Sequence, residues 1–106
     1  MITCASVKAA VAAHYGIPVA TLDGKSRLAE FAHPRHLAMA LSRQLIPCKV
    51  NQGGHISLTK IGYRFGNRDH STVWSAIRQV ALRRKSDPAL RRSMRRLTVE
   101  LLRGEE

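Results

Sequence analysis

Aromatic residues are scarce, at 5% of 106 residues. Any core must therefore be built mostly from aliphatic and alanine side chains. Cysteine is scarcer, with only Cys4 and Cys48. Two thiols make no disulfide scaffold, and with no signal peptide ahead of them they read as reduced thiols of an intracellular protein. A metal site built from Cys48, His55 and the His33-Pro34-Arg35-His36 run lacks any paired C-x-x-C, so no metal is expected. No apolar stretch approaches the ~18 residues of a membrane span, which predicts a soluble, cytoplasmic chain. Neither G-x-x-x-x-G-K-[ST] nor G-x-G-x-x-G occurs, and the length excludes an ATPase or a Rossmann enzyme. No nucleotide or other cofactor is expected.

Acidic residues are also few. Seven Asp and Glu face 18 Lys and Arg, a formal net charge of +11. Such a charge on a small chain costs self-repulsion and points to a polyanionic partner. The hydrophobic share of 44% is enough for a packed core and too high for a disordered chain. At this length the expectation is one domain over residues 1–106.

The periodicity is helical nearly everywhere, and no stretch alternates as a strand does. Val7, Val11 and Tyr15 step by four behind a cap at Thr3 or Ser6, and Gly16 ends that helix. Pro18 opens a short turn through Val19 and Leu22 that breaks at Asp23-Gly24. Lys25 to His33 is polar and basic, with only Leu28 and Phe31 to anchor it. A second strong helix is expected to open at Pro34, carry Leu37, Leu41 and Leu45, and stop at Pro47. Pro47 to Ile56, with Asn51-Gln52-Gly53-Gly54, reads as a mobile loop.

Ser57 then caps a short helix bearing Leu58, Ile61 and Phe65, and Gly66-Asn67 turns the chain. Asp69 caps the next helix, whose apolar stripe is Val73, Trp74, Ile77 and Val80. Trp74 is thereby expected in the core rather than as a stacking platform. Short helix, tight turn and second amphipathic helix describe a helix-turn-helix. Asp87-Pro88 starts a last helix, about 87–103, with Leu90, Met94, Leu97 and Leu101 spaced three or four apart. The expected fold is all-α, with five to six helices.

On the helical wheel Ser71, Thr72, Ser75, Arg78 and Gln79 fall opposite the apolar stripe. Hydroxyls and an amide can meet base edges there while Arg reaches phosphate. His70 lies nearer the buried side by angle but in the first turn, where it can project from the tip. The arginines from Arg83 to Arg96 read as phosphate steering or as solubilising charge.

The string Gly66-Asn67-Arg68-Asp69-His70-Ser71-Thr72-Val73 is similar to the G-G-R-D-H-[ST]-T-V signature of the DNA-binding domain of the bacterial DnaA initiators. Three upstream stretches extend the resemblance: His14-Tyr15-Gly16-Ile17 ahead of Lys25-Ser26-Arg27, the helix from His33 to Leu41, and Leu58-Thr59-Lys60-Ile61-Gly62. It covers about residues 6–80. The resemblance implies recognition of a short A·T-rich double-stranded box. The helix opened near Asp69 would enter the major groove, with Asp69, His70 and Ser71 reading bases. Arg27 would reach the adjacent minor groove. Lys25, Arg35, Arg43, Arg68, Thr72, Ser75 and Arg78 would touch the backbone or support the readers. The chemistry fits, since a carboxylate accepts from cytosine N4 and a narrow A·T minor groove attracts a guanidinium.

The chain departs from the family pattern in three places. Leu28, Ala29 and Glu30 stand in the basic loop, His33 replaces an Arg, and the Pro47–Ile56 loop is longer. A replication-origin or regulatory role on the nucleoid is implied, without an ATPase; Met1 directly ahead of the domain favours a free-standing protein. The alternative is a non-specific basic nucleic-acid-binding protein or transcription regulator. Scarce surface-type aromatics and the lack of RNA-binding signatures weigh against it. An enzyme is not expected, because Asp69, His70 and Ser71 are adjacent without being a triad. Binding as a monomer is expected, since a footprint of one helix and one loop arginine needs no two-fold symmetry.

Overall fold

The computed structural model describes residues 1–47 and 54–104. Five α-helices and one short 3-10 helix follow in order. Helix α1 is Cys4–Tyr15, α2 Ala29–Leu45, α3 Leu58–Arg64, α4 His70–Arg83 and α5 Pro88–Arg103. The 3-10 turn is Val19–Leu22. Among the described residues there is no strand, only an isolated antiparallel bridge between Pro47 and His55. The all-α expectation holds.

The helix starts follow the capping chemistry. The Thr3 hydroxyl accepts from the Ser6 amide while the Ser6 hydroxyl accepts from the Thr3 amide, a reciprocal box. Ser57, Asp69 and Asp87 each accept a main-chain N–H in the first turn of α3, α4 and α5.

Helix α2 corrects the expected boundary. It opens at Ala29 rather than Pro34, which sits inside it. Proline at that point forfeits the bond to the carbonyl of Glu30, four residues back, and its ring crowds that carbonyl. Glu30 is exposed, so water can serve that carbonyl. The Leu28 carbonyl starts the helix by accepting from Phe31 and Ala32 at 3.0 and 2.8 Å.

The buried side chains form one cluster. Leu37 and Leu41 of α2 lie at its centre with Val7 and Val11 of α1, Ile61 of α3 and Val73 of α4. Leu90, Met94, Leu97 and Leu101 close it from α5, as their spacing predicts. Two expected stripe members are exposed, Tyr15 at 39% and Trp74 at 54%, while Leu45, Leu58 and Ile77 are partly buried. Of the long loop, residues 48–53 lie outside the described residues, and its expected mobility with them. Its flanks pair, with the Ile56 amide donating to the Ile46 carbonyl at 2.9 Å. Cys48 also lies outside, and Cys4 is buried with a free thiol. No described helix is long and apolar enough to cross a membrane.

Candidate nucleic-acid interface

The turn between α3 and α4 is built for close approach. Gly66 has φ +76° and Asn67 φ +57°, two successive left-handed residues that reverse the chain within a few atoms. Glycine is needed at 66 for space as well, since a Cβ there would lie 2.4 Å from the carbonyl oxygen of Asp23. At Gly62 a Cβ would lie 2.0 Å from the Arg68 carbonyl, while the Arg68 amide donates to the Gly62 carbonyl at 2.8 Å. The helices of the motif therefore touch backbone to backbone at the turn.

Beyond it, Asp69, His70, Ser71 and Thr72 are all exposed at the tip of α4. The Ser71 amide donates to Asp69 Oδ2 at 3.3 Å, and the Ser71 hydroxyl donates to the same oxygen. His70 Nδ1 lies 3.3 Å from Asp69 Oδ1. The hydroxyl and amide of Ser71 hold the Asp69 carboxyl below its usual range, so it is an anion at neutral pH. Asp69 thus caps α4 and still presents a carboxylate to solvent. The Ser71 oxygen keeps acceptor lone pairs free after its proton is given to Asp69.

Hydrogen bonds hold the basic segment ahead of α2. Of the two expected anchors, Leu28 is 60% exposed and Phe31 is half-buried. The Arg68 guanidinium donates to the carbonyls of Gly24, Phe65 and, at 3.4 Å, Asp23. Lys8 meets the Asp23 carboxylate at 3.0 Å and the Arg64 carbonyl at 2.6 Å. Arg35, buried in α2, donates to the Ser26 carbonyl at 2.7 Å. Residues 23, 24 and 26 are thus tied down, while Lys25 and Arg27 between and beside them are exposed. Burial lowers the Arg68 and Arg35 guanidinium pKa values from their ordinary range. Both remain cationic, as arginine does in proteins.

The structure sorts the sequence-predicted residues into groups. Arg27 and Lys25 are exposed, the α4 tip bonds only within itself through Asp69, Ser71 and His70, and Arg68 ties the two elements together. Ser75 and Arg78 continue the exposed face of α4. Arg43 is elsewhere: its Nη1 donates to the Ile56 carbonyl, and it lines a cleft with Ile77, Ala81 and Arg84 beside the second half of α4. Lys8 and Asp23 escaped the sequence reading. Their only signal was opposite charge, and fifteen positions of separation hid it. The expected burial of Trp74 is corrected: the ring lies outside, with the Arg78 guanidinium 5.4 Å from its centroid. Among the described residues no group of three or more His, Cys, Asp or Glu could hold a metal.

Residues 4–80 match the family model described as the bacterial dnaA protein helix-turn-helix. The chain is 40% identical over 103 residues to the chromosomal replication initiator protein DnaA of Nitrosospira multiformis, covering 97% of this chain and 20% of that protein. The DnaA protein of Symbiobacterium thermophilum is 37% identical over 100 residues, covering 94% and 20%. That of Neisseria meningitidis is 37% identical over 99 residues, covering 93% and 18%. The chain thus spans about a fifth of the length of these curated relatives.

Proposed function

The chain belongs to the bacterial DnaA helix-turn-helix family, and we propose that its 106 residues form one domain that recognises a short A·T-rich duplex box. The tip of α4 enters the major groove, where Asp69, His70 and Ser71 read base edges. Arg27 enters the adjacent minor groove. Lys25, Thr72, Ser75 and Arg78 meet the sugar-phosphate backbone, while Arg35 and Arg68 act behind the surface by fixing the loop and the tip. One observation carries this reading above the rest. Arg68 bonds the Gly24 and Phe65 carbonyls at once, so the arginine-bearing loop and the recognition tip are pre-set against each other. Two reading elements held at a fixed distance suit a ligand of fixed repeat, as duplex DNA is.

The role follows from that binding: occupancy of boxes at a replication origin or regulatory region, in the cytoplasm on the nucleoid, with no ATPase within the chain. One chain occupies one box without nucleotide. Selection from random duplexes is the test. A single enriched A·T-rich motif is expected, with Ser71→Ala and His70→Ala each losing about 1–3 kcal/mol on it and little on random DNA. A non-specific basic protein would enrich nothing and lose nothing. Sedimentation of the selected duplex with the chain should give one protein per duplex, with or without ATP; two would overturn the monomeric mode.

A further inference from the structure

Trp74 stands outside the core. It is 54% exposed on a helix whose neighbouring Val73 and Ala76 are buried. A large aromatic ring in water forgoes its burial free energy, so its place on a polar face needs another reason. His70, Trp74 and Arg78 are spaced four apart and share one side of α4. All three are exposed, and Arg78 stacks its guanidinium over the indole. That contact limits the ring's rotamers and carries Arg78 outward with it.

With α4 laid along the groove from its tip, helical rise puts Trp74 about 6 Å beyond His70, close to two base-pair steps of about 3.4 Å each. An indole presented there has one apolar partner on the floor of a major groove: the C5-methyl group of thymine. We propose that Trp74 is a specificity-determining residue that packs its indole on a thymine methyl about two base pairs beyond the step met by His70, with Arg78 held over it toward phosphate. This rests on the groove placement of α4 proposed above.

The chain contains a single tryptophan, so its emission reports on that ring alone. The probe is the duplex selected by the wild-type chain, with each thymine replaced in turn by uracil, which removes only the methyl. Saturating the wild type with that duplex should shift or quench the emission. At one thymine, uracil should weaken wild-type binding about fourfold, the worth of one buried methyl group. Trp74→Ala should bind the thymine and uracil forms equally, and Trp74→Phe should keep part of the difference. Loss of the buried half of the ring should lower the melting temperature of Trp74→Ala more than that of Trp74→Phe, and the wild-type emission is read whether or not they fold.

Unmoved emission on a duplex that binds overturns the inference and leaves the proposed function standing. So does a uracil penalty that is equal in wild type and Trp74→Ala. Emission that moves with no uracil effect at any position overturns the thymine assignment. A chain that enriches no motif overturns the proposed function, and the inference falls with it.

Discussion

Arg68 is the residue on which stability and recognition are expected to meet. Its guanidinium serves the carbonyls of Gly24 and Phe65, and more weakly that of Asp23. Hydrogen bonds from a charged group contribute about 1.5–3 kcal/mol each, and bonds sharing one side chain are not additive. Arg68→Lys keeps the charge but replaces a forked donor by a point donor that can satisfy one of the two principal carbonyls. The expected loss is about 2 kcal/mol, a large fraction of the ~5–15 kcal/mol typical of a small protein. In a chain of this size that lowers the melting temperature by roughly 8–16 °C. Urea unfolding should give a lower midpoint with an unchanged slope. The DNA assay separates support from contact. If Arg68 positions the loop, Arg68→Lys loses the preference for A·T over G·C beside the box, as Arg27→Ala does. Wild-type stability combined with an equal loss of affinity on all sequences would refute the argument and make Arg68 a phosphate contact.

Three further outcomes follow from the same geometry. Replacing A·T pairs beside the selected core by G·C should weaken the wild type more than Arg27→Ala, measured by anisotropy titration; equal penalties would remove Arg27 from the minor groove. Gly66→Ala, with φ +76° and a Cβ 2.4 Å from the Asp23 carbonyl, should cost at least about 2 kcal/mol, whereas Gly24→Ala, whose Cβ meets nothing closer than 3.4 Å, should be nearly neutral in thermal melts. Burial, with Arg35 next in weight, lowers the His36 pKa to about 4 from an ordinary 6.5; the unfolded chain then binds the proton first, so stability is full above pH 6.5 and falls as pH drops to about 4. After discounting for the solvent that reaches its exposed side, that loss is about 1–2 kcal/mol, and His36→Gln should flatten it in urea titrations across the window.

The sequence made the helices legible because each carries its own signal. Apolar side chains spaced three or four apart and a Ser, Thr or Asp at each start marked α1, α3, α4 and α5. The rule that failed at α2 was a local one. Proline is a frequent first residue, so the pattern places the start at Pro34, yet α2 accommodates it one turn in, where the carbonyl it leaves unpaired belongs to exposed Glu30. Trp74 failed for a different reason. Hydrophobicity assigns an indole inward, and nothing in the pattern says that a helix will reserve one aromatic for its outer face.

The arginines show where composition stops being informative. Eighteen cations and a net charge of +11 point to a polyanion, but they do not say which cations it can meet. Arg35 and Arg43 each aim one N–H at a carbonyl, of Ser26 and Ile56, and Arg68 serves those of Gly24 and Phe65. A carbonyl acceptor belongs to every residue and leaves no mark in a sequence, so these arginines look the same on the page as Arg27. Arg35 is buried and Arg43 and Arg68 are half-buried, which restricts the phosphate approach that an exposed side chain allows. Each phosphate contact lowers affinity with salt by a slope of about 0.9, so that slope should follow the exposed cations of the loop and of α4 rather than the full basic count. Arg27 and Lys25 can reach outward because the internal arginines hold the backbone beneath them. The same residue type therefore does two jobs, and only the hydrogen-bond partners tell them apart.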